Sequence, residues 1–204
     1  VINKPSSLRD INEKAYTAWF PHCTPPSLIS RSRNALKTFL EEQEKIVLKP
    51  LDGMGGRSVF VVAQMEPNIN VILETLTEYE ERFVLAQRYI PEITEGDKRI
   101  LLVDGQPLDY ALARIPAPGE TRGNLVMGAK GEGRALSKRD RWLCGEVGPM
   151  LKSKGVLFAG LDVIGDYLTE INVTSPTGIC ELDRQYNIDV ADMLFGTIES
   201  KLSD

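Results

Sequence analysis

Asp162, Glu170 and Asn172 are the residues whose types and spacing carry the most chemistry in this sequence. They fall on two apolar-rich runs, 156–164 and 168–173, joined by Gly165-Asp166-Tyr167, which reads as a β-hairpin. A three-residue connection sets Asp162 opposite Glu170, and alternation puts Asn172 on the face of Glu170. The same register gathers Leu161, Val163, Ile171 and Val173 on the other face, so burial of the apolar set selects the pairing that clusters the acids. Two carboxylates and an amide facing one another repel unless a cation lies between them, and hard oxygen donors suit Mg²⁺ carrying phosphates. The competing reading is a solvated strand face with ordinary acids.

Lys49 near the end of a short strand, 46–50, is followed by Gly53, Gly55 and Gly56. A glycine-rich loop can turn its N–H groups toward a phosphate, and an adjacent lysine supplies a point charge. The pattern is not a Walker P-loop, because no G-x-x-x-x-G-K-[ST] occurs and the loop leads into a strand at 58–62. A plain hairpin turn explains the same glycines. Residues 117–134 carry five glycines with Arg122, Lys130 and Arg134, after Arg99 and Arg114. This reads as a long mobile loop, either a cationic flap that excludes water from phosphates or a surface loop with incidental charges. Gln87-Arg88-Tyr89-Ile90 offers backbone and aromatic surface of the kind an adenine ring uses, or is simply a buried strand end.

The elements that must position these residues follow from periodicity and punctuation. Helices are expected over 8–20, with Ser7 as N-cap, and over 34–43, 67–80, 138–154 and 188–202. Strands are expected at 27–31, 46–50, 58–62 and 83–90, then as a hairpin, 99–103 with 108–115, turning at Asp104-Gly105. Hairpins in place of regular βαβ alternation point to an α+β protein in two lobes hinged near 89–91. The division is residues 1–88, a first lobe with its leading helix, and 89–204, a second lobe with the acid hairpin and the glycine-rich loop.

Composition narrows the function further. With 204 residues, 42% apolar and 26% charged, the chain is of ordinary globular type, and 24 basic against 29 acidic residues give a net charge of −5. No nucleic-acid or membrane partner is expected from that balance. Three scattered cysteines and the single His22 assemble neither a zinc cage nor a disulfide framework, and they leave no histidine engine for nucleophilic catalysis. No apolar run approaches ~18 residues and the start is not a signal peptide, so the expected setting is cytoplasmic. A chain opening on Val1 is expected to be a processed or excised piece of something longer.

Longer strings point to one family. Asn3-Lys4-Pro5, Leu8-Arg9-Asp10, Asn12-Glu13-Lys14, Lys49-Pro50-Leu51-Asp52-Gly53-Met54-Gly55-Gly56, Arg114-Ile115-Pro116, Gly119-Glu120-Thr121-Arg122-Gly123-Asn124 and Glu170-Ile171-Asn172-Val173-Thr174-Ser175-Pro176 occur in order along the chain. Together they resemble bacterial glutathione synthetase, over essentially all 204 residues. Departures are Lys130, where an arginine is usual, and Gly178-Ile179-Cys180.

The resemblance implies the ATP-grasp fold, with ATP held between two α+β lobes. It implies that Lys14, Lys49, Gly53, Gly55 and Gly56 contact ATP phosphates and that Gln87, Arg88, Tyr89 and Ile90 receive the adenine. Asp162, Glu170 and Asn172 would hold Mg²⁺, or Mn²⁺ in its place. Arg99 and Arg122 would act in catalysis, and Arg114 and Ser175 would bind substrate. The implied reaction activates the cysteinyl carboxylate of γ-glutamylcysteine with ATP, after which glycine's amine displaces phosphate. The family also carries an N-terminal domain of roughly 100 residues that this chain lacks, contributing part of the dipeptide site and the contacts of a homo-oligomer. Alternatives are another ATP-grasp ligase, such as a glutamate or D-alanine–D-alanine ligase, and a non-catalytic nucleotide-binding fragment.

Overall fold

The structure is a computed structural model and describes residues 1–120, 123 and 128–203. Two antiparallel sheets dominate it. The first is four-stranded, with β1 (Ser27–Ser30), β2 (Lys45–Pro50), β3 (Phe60–Ala63) and β4 (Val84–Arg88) in the order β1-β4-β2-β3. Helix α2 (Arg33–Gln43), capped by the Ser32 hydroxyl, and helix α3 (Ile69–Thr77) cover one face of it. Leu36, Phe39 and Leu40 recur at helical spacing and pack with Ile46, Leu48, Leu73 and Val84.

The second sheet has β5 (Asp97–Val103), β6 (Gln106–Ile115), β7 (Lys130–Ala135), β8 (Phe158–Ile164) and β9 (Tyr167–Asn172) in the order β7-β6-β5-β8-β9. Asp104 and Gly105 both take positive φ, the geometry of the tight turn expected between β5 and β6. Alternation splits the sheet into two faces. Ile100, Leu102, Leu161, Val163 and Ile171 pack under helix α4 (Lys138–Ser153), which starts in a capping box between Ser137 and Asp140. A Cβ on Gly148 of α4 would run into the Gly105 carbonyl, so this close approach requires glycine. On the other face, Leu101, Val103 and Leu112 meet helices α5 (Ile179–Tyr186) and α6 (Val190–Ser203) through Leu182 and Val190.

Four departures from the sequence reading have physical causes. The expected 8–20 helix is broken into α1 (Pro5–Asp10) and a 3-10 turn (Ala15–Trp19), because Asn12 Oδ1 accepts from the N–H groups of Lys14 and Ala15. Ser7 is not the cap: its hydroxyl donates to Lys154 O at 2.5 Å. This leading segment, drawn with the first lobe, contributes Ile11 and Cys23 to the core under α4 in the second. Asn3 pins it there through four bonds, to Phe158 O and Val173 O and from the N–H groups of Leu157 and Phe158.

The third departure is β7, which occupies 130–135 within the stretch read as loop. Its Lys-Gly-Glu-Gly-Arg-Ala sequence has no apolar alternation, and backbone pairing with β6 holds it on one side. On the other, the Gln185 amide accepts from Gly133 N at 2.6 Å and donates to Gly131 O at 3.3 Å. The fourth is α5, eight residues entered through Gly178 at φ +114 and not anticipated. Among the described residues no helix is long and apolar enough to cross a membrane.

Candidate active site

A cleft of about 510 Å³ lies between the two sheets. The end of the second sheet not covered by α5 and α6 forms one wall, where Arg99, Arg114 and Asp162 share the face of Leu101 and Leu112. The first sheet supplies Val47, Lys49, Val61, Gln87 and Arg88, the glycine loop supplies Gly53 to Gly56, and the connection between the sheets supplies Tyr89 and Ile90. Described lining charges balance: Glu13, Asp97, Asp162, Glu170 and Glu181 stand against Lys14, Lys49, Arg88, Arg99 and Arg114. A polyanion entering such a cleft alone would leave it net negative.

The acid hairpin pairs as its alternation requires, with Asp162 opposite Glu170, Leu161 opposite Ile171 and Gly160 opposite Asn172. The route differs from the three-residue connection expected. Ile164 pairs with Tyr167 across a two-residue turn, and a bulge between Asp162 and Val163 restores the register by looping out Thr169.

The carboxylates are not left to repel one another. Arg99 donates to both oxygens of Asp162, from Nε at 2.6 Å and Nη2 at 2.8 Å, and Arg114 Nη2 reaches the same carboxylate at 2.9 Å. Burial alone would raise Asp162, but the two guanidiniums outweigh it and hold the carboxyl below its ordinary range. Arg114 also donates to Asp97 Oδ2 at 2.5 Å. Burial pushes Asp97 up to about 7 against the pull of Arg114, with Asp162 and Glu170 adding to the rise.

Glu170 is compensated less closely. Among the described residues its nearest cation is Lys14 Nζ at 3.8 Å, and burial raises its carboxyl despite Lys49 and Lys14. No three His, Cys, Asp or Glu side chains form a metal cluster among the described residues, so the set is two carboxylates completed by an amide. Hard oxygen donors, an under-compensated Glu170 and the charge balance of the cleft fit a divalent cation at this end.

Beside the hairpin, Lys14 is 3% exposed, ion-paired to Glu13 and bonded to Gly53 O at 2.6 Å. Lys49 Nζ donates to Gln87 Oε1 at 3.3 Å, and Gln87 Nε2 donates to Ser27 Oγ at 3.1 Å. Arg88 donates to the Tyr167 hydroxyl at 2.9 Å, tying the end of β4 to the start of β9. Ser175 lines the cleft in left-handed backbone, φ +50, followed by Pro176 and Thr177, whose hydroxyl accepts from Arg99 Nη1 at 3.4 Å.

The cleft thus brings together Lys14, Lys49, Gly53, Gly55, Gly56, Gln87, Arg88, Tyr89, Ile90, Arg99, Arg114, Asp162, Glu170, Asn172 and Ser175. Arg122, and with it most of the centre of the glycine-rich loop, lies outside the described residues. Three lining acids escaped the sequence reading of the site: Glu13, Asp97 and Glu181. Glu13 sat in a quoted string beside Lys14, whereas Asp97 starts a strand and carries no pattern that marks it.

Comparisons with known proteins give the family and the fold. The sequence matches the family described as prokaryotic glutathione synthetase, ATP-grasp domain, over residues 13–187. Among curated relatives, the glutathione synthetase of Xanthomonas campestris is 59% identical over 200 residues, covering 98% of this chain and 63% of that protein. The glutathione synthetase of Coxiella burnetii is 55% identical over 201 residues, with the same coverage. The chain therefore spans about 63% of the length of these relatives.

Among solved structures, the ATP-grasp ligase PsnB complexed with minimal precursor, Mg and ADP gives a TM-score of 0.67 at 18% identity, covering 96% of this chain and 61% of that one. The D-alanine–D-alanine ligase of Bacillus anthracis gives 0.62 at 16%, covering 95% and 68%. These two likenesses show the fold, which is ATP-grasp. With the family matched over most of its length and the ATP-grasp cleft between its sheets, this chain belongs to the prokaryotic glutathione synthetase ATP-grasp family.

Proposed function

We propose that this chain is the nucleotide-binding portion of a glutathione synthetase, which joins γ-glutamylcysteine to glycine with cleavage of ATP to ADP and phosphate. The observation that carries the reading is the convergence of Lys14, Lys49, the glycine loop and the Asp162-Glu170-Asn172 face on one cleft. Lys14 and Lys49 meet the triphosphate oxygens, the N–H groups of Gly53 to Gly56 cover them, and Gln87 to Ile90 receive the adenine. Asp162, Glu170 and Asn172 hold Mg²⁺, or Mn²⁺ in its place, which when bound neutralises and orients phosphate oxygens.

The cysteinyl carboxylate takes the γ-phosphoryl group, and glycine's amine then attacks the acyl carbon as phosphate leaves. Arg99 and Arg114 face the charge that develops on the acyl phosphate or grip substrate carboxylates, a role the family resemblance also assigns to Arg122, and Ser175 helps seat the dipeptide. No side-chain nucleophile is needed, so the chain contributes position and electrostatic stabilisation. Three unpaired cysteines go with a cytoplasmic setting.

Phosphate release is the test. Release that requires both γ-glutamylcysteine and glycine supports glutathione synthesis, and release driven by D-alanine refutes it in favour of the D-alanine–D-alanine ligase reading. The span of 63% of the relatives favours a corollary: part of the dipeptide grip lies in the remaining length. The 204 residues alone then bind ATP but ligate feebly, and supplying the rest restores synthesis; full activity of the isolated chain would refute the corollary.

A further inference from the structure

We propose that Glu13 is a positioning residue for the cation site: its carboxylate fixes the Asn172 amide with the oxygen toward the site, and holds Lys14 beside the glycine loop. The proposal rests on the reading of Asp162, Glu170 and Asn172 as oxygen donors to a divalent cation.

Glu13 is held by its own backbone before its side chain acts. Its carbonyl accepts from Ile171 N at 2.8 Å, on the outer edge of β9 midway between Glu170 and Asn172. On one side of it, Asn12 donates from Nδ2 to Leu51 O at 2.9 Å, and its Oδ1 accepts from Lys14 N at 3.0 Å. Asn12, Glu13 and Lys14 therefore form a three-residue bracket. It joins the strand that carries the cation donors to the loop that carries Gly53.

The two carboxylate oxygens of Glu13 are divided between two functional side chains. One accepts from Lys14 Nζ. The other lies 3.2 Å from one end of the Asn172 amide, and Arg99 Nη2 lies 3.3 Å from its other end; both contacts become hydrogen bonds when the amide is set with its NH₂ toward Glu13 and its oxygen toward Arg99. Turned over, the amide would set its oxygen against a carboxylate and its NH₂ against a guanidinium, two repulsive contacts in place of two bonds. Glu13 thereby selects between two orientations that are otherwise isosteric. The selection matters because a cation takes the carbonyl oxygen and is repelled by amide N–H groups.

This arrangement makes a charge-specific prediction. An aspartate at position 172 would offer two equivalent oxygens but set one of them against the Glu13 carboxylate, so its effect depends on what stands at position 13. The measurement is Mn²⁺ affinity by electron paramagnetic resonance with ADP present, alongside ADP affinity without metal. Groups that orient ligands cost about 10- to 100-fold in metal affinity when removed. Glu13→Ala is expected to weaken Mn²⁺ binding by about 10-fold or more, and Glu13→Gln, which keeps an acceptor for Asn172, by about threefold or less. Asn172→Asp alone is expected to weaken it, and combining it with Glu13→Gln, whose amide can turn to donate, to recover about 10-fold of that loss.

The isosteric pair keeps the test intact even where Glu13→Ala does not fold. Equal losses in Glu13→Ala and Glu13→Gln, or no recovery in the Glu13→Gln/Asn172→Asp pair, would overturn the proposal. The underlying reading fails separately: Glu170→Gln and Asn172→Ala would then both leave Mn²⁺ affinity unchanged.

Discussion

Alanine in place of Gly160 tests how firmly the floor of the cleft is set. Gly160 stands on β8 two residues before Asp162 and on the same face. A methyl there would lie 2.8 Å from Arg99 Cδ on one side and 2.8 Å from Pro176 Cβ on the other. Carbon atoms rest at about 3.5–4.0 Å, so roughly 0.7 Å must open on each side. Neither neighbour yields freely. Arg99 is clamped to both Asp162 oxygens, and Pro176 follows Ser175 in its left-handed conformation.

Overpacking of this kind costs about 1–3 kcal/mol. Distorting one hydrogen bond to a charged group adds about 1.5–3 kcal/mol, so Gly160→Ala is expected to lose about 3 kcal/mol or more. Gly145 in α4 is the control. It is exposed, has open space where a Cβ would go and needs no positive φ, so Gly145→Ala should gain about 0.5–1 kcal/mol from helix propensity. Urea unfolding of both variants, followed by tryptophan fluorescence, gives the two differences provided m is unchanged. Gly160→Ala within about 0.5 kcal/mol of the parent, while Gly145→Ala gains as expected, would refute the rigid placement of Arg99.

Three further outcomes are expected. Mg²⁺ with ATP at one hundred times Kd should add about 2.7 kcal/mol of stability, read as a rise in Tm; no shift in a folded sample counts against the cleft as the nucleotide site. Asn3→Ala removes four bonds between the leading segment and the β8–β9 region, and should cost about 3 kcal/mol or more in a urea melt. Cysteine alkylation at pH 8 should label exposed Cys180 quickly and spare Cys23 and Cys144, because burial raises both thiols and Cys144 is pushed up to about 12. The Cys144 contribution to stability is present below the unfolded thiol's pKa of about 8.5 and is lost as pH rises toward 12.

The acid hairpin was legible because burial of Leu161, Val163, Ile171 and Val173 admits one register, even though a bulge at Thr169 rather than a longer turn delivers it. Strand β7 was not, because its pairing uses backbone groups and glycines that carry no periodicity. The broken leading helix shows a local competitor, the Asn12 side chain, winning over a sound apolar pattern. Around the cleft, Lys49 and the glycines stood out by type and spacing, whereas Lys14 was reached only through the family resemblance. The partners that neutralise Asp162 could not, since Arg99 and Arg114 reach it only once β5, β6 and β8 are side by side.

The edges of the five-stranded sheet have a consequence for the protein's behaviour at high concentration. An open strand edge is a template on which a second molecule can pair, and aggregates grow from such edges. On β7 the Gln185 amide already occupies the outward N–H of Gly133 and carbonyl of Gly131, as a neighbouring strand would. On β9 the outward N–H groups of Leu168 and Ile171 are taken by the carbonyls of Cys23 and Glu13. Each end of the sheet is stoppered by a piece of the same chain, so its two edges offer little purchase for sheet-to-sheet association between molecules.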